Sequence, residues 1–337
     1  MHDFQDVLGQ EPVKRLLLTA KASDRVSHAY LLAGEKGLGK HILAKAFARR
    51  LLCEAGGDEP CGVCHACRQV EADTHPDVLQ LKREKPNSIS VEEVRKQLCD
   101  EAQIRPYAGK RRIFIVPDAH LMTPQAQNAA LKTIEEPPDY VVLLLLTDRE
   151  EALLGTILSR VVRLRLTPVR EEDVREWLVR ECGVLKEDAA VAAAFSGGNP
   201  GKAMDLAGSE EFRDQLRLFL TILTELPGGA PEKIGQFTSD LLAADPGLKR
   251  FPDIARMYLR DILVLKSRGK ARSGGSDQKE RLIFADREKL LVSRAAEMSA
   301  AKAGRILDAL AETEDRLRAN VNPELLTDLL LRELSGR

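Results

Sequence analysis

Between Ala29 and Glu54 the chain reads AYLLAGEKGLGKHILAKAFARRLLCE. A short apolar run ends at a glycine, a glycine-rich loop follows, and helical periodicity begins at Lys40. This order of strand, loop and helix is the feature that most limits what the chain can become. Gly34, Gly37 and Gly39 let the backbone turn tightly and aim its N–H groups at phosphate oxygens. The helix behind the loop adds its positive N-terminal end, and Lys40 reaches toward terminal phosphates. These four residues, together with His41 after them, form the candidate nucleotide-binding site. The next position, where a phosphate loop carries Ser or Thr to ligate Mg²⁺, holds His41. Imidazole is a poor partner for a cation that wants hard oxygen donors. His41 reads equally as a solvated histidine on the first helical turn. ATP binding is therefore an open expectation, and use of Mg²⁺ is not expected.

The pattern of strand then helix repeats. DVLQL is a second strand, RRIFIVPDA a third, YVVLLLLT a fourth and VVRLRL a fifth. YVVLLLLT is apolar on both faces, as a central parallel strand must be. Between them, Ser90 and Glu93 form the signature of a capping box. Thr123 and Pro124 open a helix that Pro137 and Pro138 stop. The expected fold is an α/β P-loop core with a mostly parallel sheet over residues 1–166. A small helical lid is expected over 167–207 and an all-helical C-terminal domain over 208–337. The charged stretch RGKARSGGSDQKE, residues 268–280, reads as a loop.

A hydrolytic P-loop protein needs an acidic residue after a second apolar strand, often with a neighbouring glutamate. Here the run is RRIFIVPDAH, and only Asp118 is acidic. Asp118 is a candidate cofactor residue, and it reads equally as a helix cap. His41 and the Pro117–Asp118 pair depart from the pattern at the same reaction step.

Four of the six cysteines lie within residues 53–67. Cys53 precedes a C-x₂-C-x₂-C array of Cys61, Cys64 and Cys67. Four thiolates meet the tetrahedral preference of structural Zn²⁺, so this segment (about 53–67) is a candidate zinc module. Replacement of one ligand by His65 or His75 and an iron–sulfur cluster are the alternatives. No open coordination position is expected. Cys99 and Cys182 read as packing residues.

Composition narrows the function. Net charge is −1, so no global basic field for nucleic acid exists. Aromatic residues make up 4%, which disfavours a single-strand stacking platform. No apolar run is long enough to span a membrane, and the N-terminus lacks the form of a signal peptide. A soluble cytoplasmic protein without membrane partners is expected.

Taken together, GQEPVKRLL, SHAYLLAGEKGLGK, the cysteine cluster, THPDV, NAALKTIEEPP, TILSR and GGNPGKA resemble the AAA+ subunits of the bacterial DNA polymerase III clamp loader. The resemblance spans essentially the whole chain. It implies a member of an open ring of five AAA+ subunits joined by their C-terminal helical domains. The implied partners are gamma/tau and delta subunits, and, through the assembled complex, the sliding clamp and primed DNA. The whole is part of a DNA-directed DNA polymerase holoenzyme, a nucleotidyltransferase. Motor subunits of the family carry Thr where His41 stands and an Asp-Glu pair where Pro117–Asp118 stands. They carry a lid arginine where Gly201 stands, followed here by Lys202. Ser159 and Arg160 of TILSR match the segment whose arginine projects into a neighbour's ATP site. The resemblance thus implies a subunit that hydrolyses no ATP itself and offers Arg160 in trans. The alternative is an active ATPase of gamma/tau type. A zinc-dependent nucleic-acid module on an AAA+ support is a further, weaker alternative.

Overall fold

A computed structural model describes residues 3–23, 25–57, 59–226, 232–270 and 282–335. Five strands form one sheet: β1 (Ala29–Ala33), β2 (Val78–Gln80), β3 (Arg112–Val116), β4 (Val141–Thr147) and β5 (Val162–Arg165), in the order β2-β3-β4-β1-β5. All neighbouring pairs are parallel. Helices α1 (Glu11–Ala22), α2 (Lys40–Leu52), α3 (His65–Glu71), α4 (Val91–Val94), α5 (Pro124–Glu135) and α6 (Gly155–Leu158) connect or flank them. The α/β reading holds, and the five strand positions hold to within a residue at each end except that β3 stops at Val116, three residues before the end of RRIFIVPDA, where Asp118 takes a left-handed conformation.

Alternation along β1 explains why the strand reads as an unbroken apolar run. Tyr30 and Leu32 point into one core with Leu17, Leu43 and Phe47. Ala29, Leu31 and Ala33 point into a second core with Ala126, Ala130 and Ile134. A parallel strand covered by helices on both faces has no polar side to show. The Tyr30 and Phe47 rings meet edge to face at 5.3 Å.

The helix ends follow local chemistry. The Thr123 hydroxyl accepts from the Ala126 N–H at 3.2 Å, and Pro124 occupies the first turn. Ser90 and Glu93 exchange bonds to each other's backbone N–H. The predicted helix after Ser90 begins as α4 and passes into a π-turn over Arg95–Asp100.

Asp77 is fully buried and organises the loop before β3. Its carboxylate accepts N–H groups from Tyr107, Ala108 and Gly109 at 2.6, 2.7 and 2.9 Å. Arg112 lies 3.8 Å away and also pairs with Glu101.

The chain divides into two compact units, 1–173 with 199–202, and 174–198 with 203–337. Among the described residues of the second unit, every regular element is a helix. It includes most of α7 (Glu171–Arg180) and α8 (Lys186–Ser196), then α9 (Pro200–Gly208) beyond its first turn. α10 (Glu210–Glu225), α11 (Glu232–Ala244), α12 (Phe251–Lys270), α13 (Glu288–Glu297), α14 (Ala300–Arg318) and α15 (Pro323–Ser335) follow. Phe219 and Phe251 meet edge to face at 5.3 Å between α10 and α12. The predicted loop over 268–280 needs correction at its start, because residues 268–270 close α12. Residues 271–280 lie outside the described residues. No described helix is long and apolar enough to cross a membrane.

Candidate functional site

The phosphate loop runs from the C-terminal end of β1 to the first turn of α2, the edge of an open α/β sheet where ligands bind. Gly37 and Gly39 take φ of 96° and 90°, which side-chain-bearing residues rarely adopt. The Gly34 N–H donates to Thr147 O on β4 at 3.1 Å and so fixes the loop's root. Lys40 is buried at the start of α2. Its ammonium donates to Gly34 O, to Glu35 O at 2.9 Å and to Asp148 Oδ1 at 2.7 Å. An ammonium has three donors, and all three are engaged here. His41 is half-buried on the first turn of α2.

Two partners of this loop were not assigned to it by the sequence, although Asn199 lies in the GGNPGKA segment. Asp148 follows β4 and pairs with Lys40 from 108 positions away. Asn199 is buried, and its amide donates to Lys36 O at 2.7 Å.

Asp118 occupies the left-handed region at φ 47° and pairs with Arg83 at 2.8 Å. The hydroxyl of Thr147 lies 3.4 Å from His120 Nδ1. Asp118, His120 and Asp148 each bring a donor atom within 4.8 Å of the others. Both carboxylates already face cationic side chains, Arg83 and Lys40.

Arg160 stands between α6 and β5 at the surface. Its Nε pairs with Glu135 Oε1 at 2.7 Å, and both side chains are about 40% exposed. Its Nη1 donates to Thr156 O and to Ser159 Oγ, each at 3.0 Å. An exposed pair of this kind is worth roughly 0–1 kcal/mol, so a better anion can take the guanidinium over.

The four cysteine sulfurs come within 4.8 Å of one another. Each of three sulfurs accepts a backbone N–H: Cys53 from Cys61 at 3.4 Å, Cys61 from Cys64 at 3.3 Å, Cys64 from Cys67 at 3.4 Å. The N–H groups of Cys64 and then Val63 bring the Cys61 thiol down to about 6, whereas burial pushes Cys67 up to about 12. The donor set fits a metal ion such as zinc, which would cross-link Cys53 to the turn at 61–67. Neither histidine alternative joins the four sulfurs as a grouped donor. His75 is buried, its Nδ1 accepts from the Asp77 N–H at 3.1 Å, and burial holds its pKa below the usual histidine value.

A family model described as "DNA polymerase III, delta subunit" matches residues 9–170. The delta-prime subunit of DNA polymerase III from Bacillus subtilis (strain 168) is 28% identical over 331 residues, covering 96% of this chain and 95% of that protein. The chain is thus similar to clamp-loader subunits of bacterial DNA polymerase III, from end to end in the case of delta-prime.

The tau subunit of Escherichia coli (strain K12) is 36% identical over 176 residues, 52% of this chain but 27% of that protein. The chain therefore spans about a quarter of the length of its tau relative. A solved gamma subunit-related protein from Thermotoga maritima aligns at 20% identity and TM-score 0.38, covering 95% of this chain and 99% of that one. Between these two relatives, the sequence similarity to delta-prime runs from end to end, and the similarity to tau is confined to about half of this chain.

Proposed function

We propose that the chain is the delta-prime-type subunit of a DNA polymerase III clamp loader, helping to load the sliding clamp onto primed DNA. It hydrolyses no ATP itself. Its contribution to chemistry is Arg160, offered to the ATP site of a neighbouring gamma/tau subunit, where a guanidinium offsets charge spreading over the γ-phosphate in the transition state. The observation that carries the reading is the contrast between two cations. Lys40 is buried and saturated by its own loop and Asp148. Arg160 is exposed and held by an exchangeable surface pair. His41 in place of a hydroxyl supports the same reading. Delta and gamma/tau subunits are the direct partners, with residues 167–207 as lid and 208–337 as the collar that joins the ring. The cysteine module holds structural zinc through Cys53, Cys61, Cys64 and Cys67 and takes no part in catalysis. The second reading, an active ATPase of gamma/tau type, is favoured by the intact Gly34, Gly37, Gly39 and Lys40 and by the 36% identity to tau.

The test is Arg160→Ala in a loader reconstituted with its gamma/tau and delta subunits. ATP turnover at the neighbouring site should fall by roughly 10³-fold or more. Turnover indistinguishable from wild type would sink the arginine-finger role.

A further inference from the structure

The segment Asn199–Lys202 groups with the first unit, although its flanking helical residues belong to the second. It grips the tip of the phosphate loop. The Asn199 side chain donates to Lys36 O at 2.7 Å, and the Gly201 N–H donates to Gly37 O at 3.0 Å. Asn199 is 3% exposed, and its Oδ1 accepts the Lys202 N–H at 3.1 Å, which fixes the turn's own shape.

The approach is as close as two backbones allow. A Cβ placed on Gly201 would lie 2.6 Å from Gly37 Cα and 2.9 Å from Gly37 O. A Cβ placed on Gly37 would lie 2.3 Å from Asn199 Oδ1. Backbone atoms cannot swing aside as a long side chain can. The two glycines therefore depend on each other, and any side chain at position 201 must lift the turn off the loop.

We infer that Asn199–Lys202 is a latch on the phosphate loop, and that Gly201 is the residue that lets it close and so denies a nucleoside triphosphate access. The inference deepens the reading of a chain that hydrolyses no ATP. A triphosphate entering the loop has two contacts to break. It must draw Lys40 away from Asp148, and it must lift a turn held by two hydrogen bonds and a backbone-to-backbone contact. Residue 201 controls the second of these. Gly37 keeps its other side exposed, so the latch can release without unfolding the loop.

The test is titration of the full-length chain with a fluorescent ATP analogue (mant-ATP), using wild type, Gly201→Ala and Asn199→Ala. Asn199→Ala removes the bond to Lys36 and adds no atom, so it decides the matter if Gly201→Ala fails to fold. Wild type should bind weakly or not at all. At least one folded variant should bind roughly tenfold tighter or more, and a further Lys40→Ala should abolish the gain. Wild-type binding as tight as that of the variants, or folded variants that bind no better, would overturn the latch. The reading of lost hydrolysis fails separately: folded variants that bind no better, with wild type turning over no ATP, would remove the latch and keep that reading.

Discussion

The phosphate loop and the cysteine module stand on either side of one helix, α2, and they have fared differently. Both are short segments whose sequence spacing announces a ligand. In the cysteine module every donor is local, from Cys53 to Cys67, and the fold gathers all four. In the phosphate loop the local part is equally complete, from Gly34 to Lys40, yet its lysine and its carbonyls are engaged by Asp148 and Asn199 from far along the chain. Local spacing therefore fixes which donors exist, and distant residues fix whether they are available.

The first way to break this comparison is to remove a metal ligand. Cys67→Ala leaves three sulfurs, and bound zinc should drop from one per chain to none by metal analysis. Structural zinc is worth apparent binding energies of roughly 10–16 kcal/mol in isolated modules, so the segment from 53 to 67 should become protease-sensitive. Full zinc retention in Cys67→Ala would contradict the four-sulfur site.

A second test asks whether distant partners matter as much elsewhere in the same unit. Asp77→Ala deletes a buried carboxylate that accepts three N–H groups and faces Arg112. The expected loss is roughly 3–5 kcal/mol in denaturant unfolding. A loss below about 1 kcal/mol would mean that the loop at 107–109 finds other acceptors.

A third test uses pH on the metal-free chain. Cys61 is lowered to about 6 and Cys67 raised to about 12, so at neutral pH the first is largely thiolate and the second remains thiol. Iodoacetamide should label Cys61 first and Cys67 last, and Cys61 labelling should slow as pH falls through about 6. Uniform labelling would remove the asymmetry. The smallest effect belongs to a purely local feature. Thr123→Ala should cost about 1 kcal/mol by losing the cap on α5, and no measurable change would show that Pro124 alone suffices to start the helix.

The same division explains what could be read before the structure. Strands β1 and β4, the capping box at Ser90 and the cap at Thr123 were legible because their determinants lie within a few residues. The strand order was not, because β1 lies between β4 and β5 through pairings that no local pattern encodes. In the candidate site, the glycines, Lys40 and the cysteine quartet were legible as motifs. Asp148 was not, because an exposed-looking aspartate after a strand has no spacing to mark it. Asn199 was visible only as part of GGNPGKA, and its bond to Lys36 spans 163 positions that no local pattern links.

The central claim is that a chain with a nearly complete phosphate loop no longer uses it for hydrolysis. The most direct measurement is steady-state ATP turnover by the purified chain with Mg²⁺, free of other loader subunits. The account predicts no turnover above the buffer rate. A measurable rate that Lys40→Ala abolishes would contradict it and make this chain a motor in its own right.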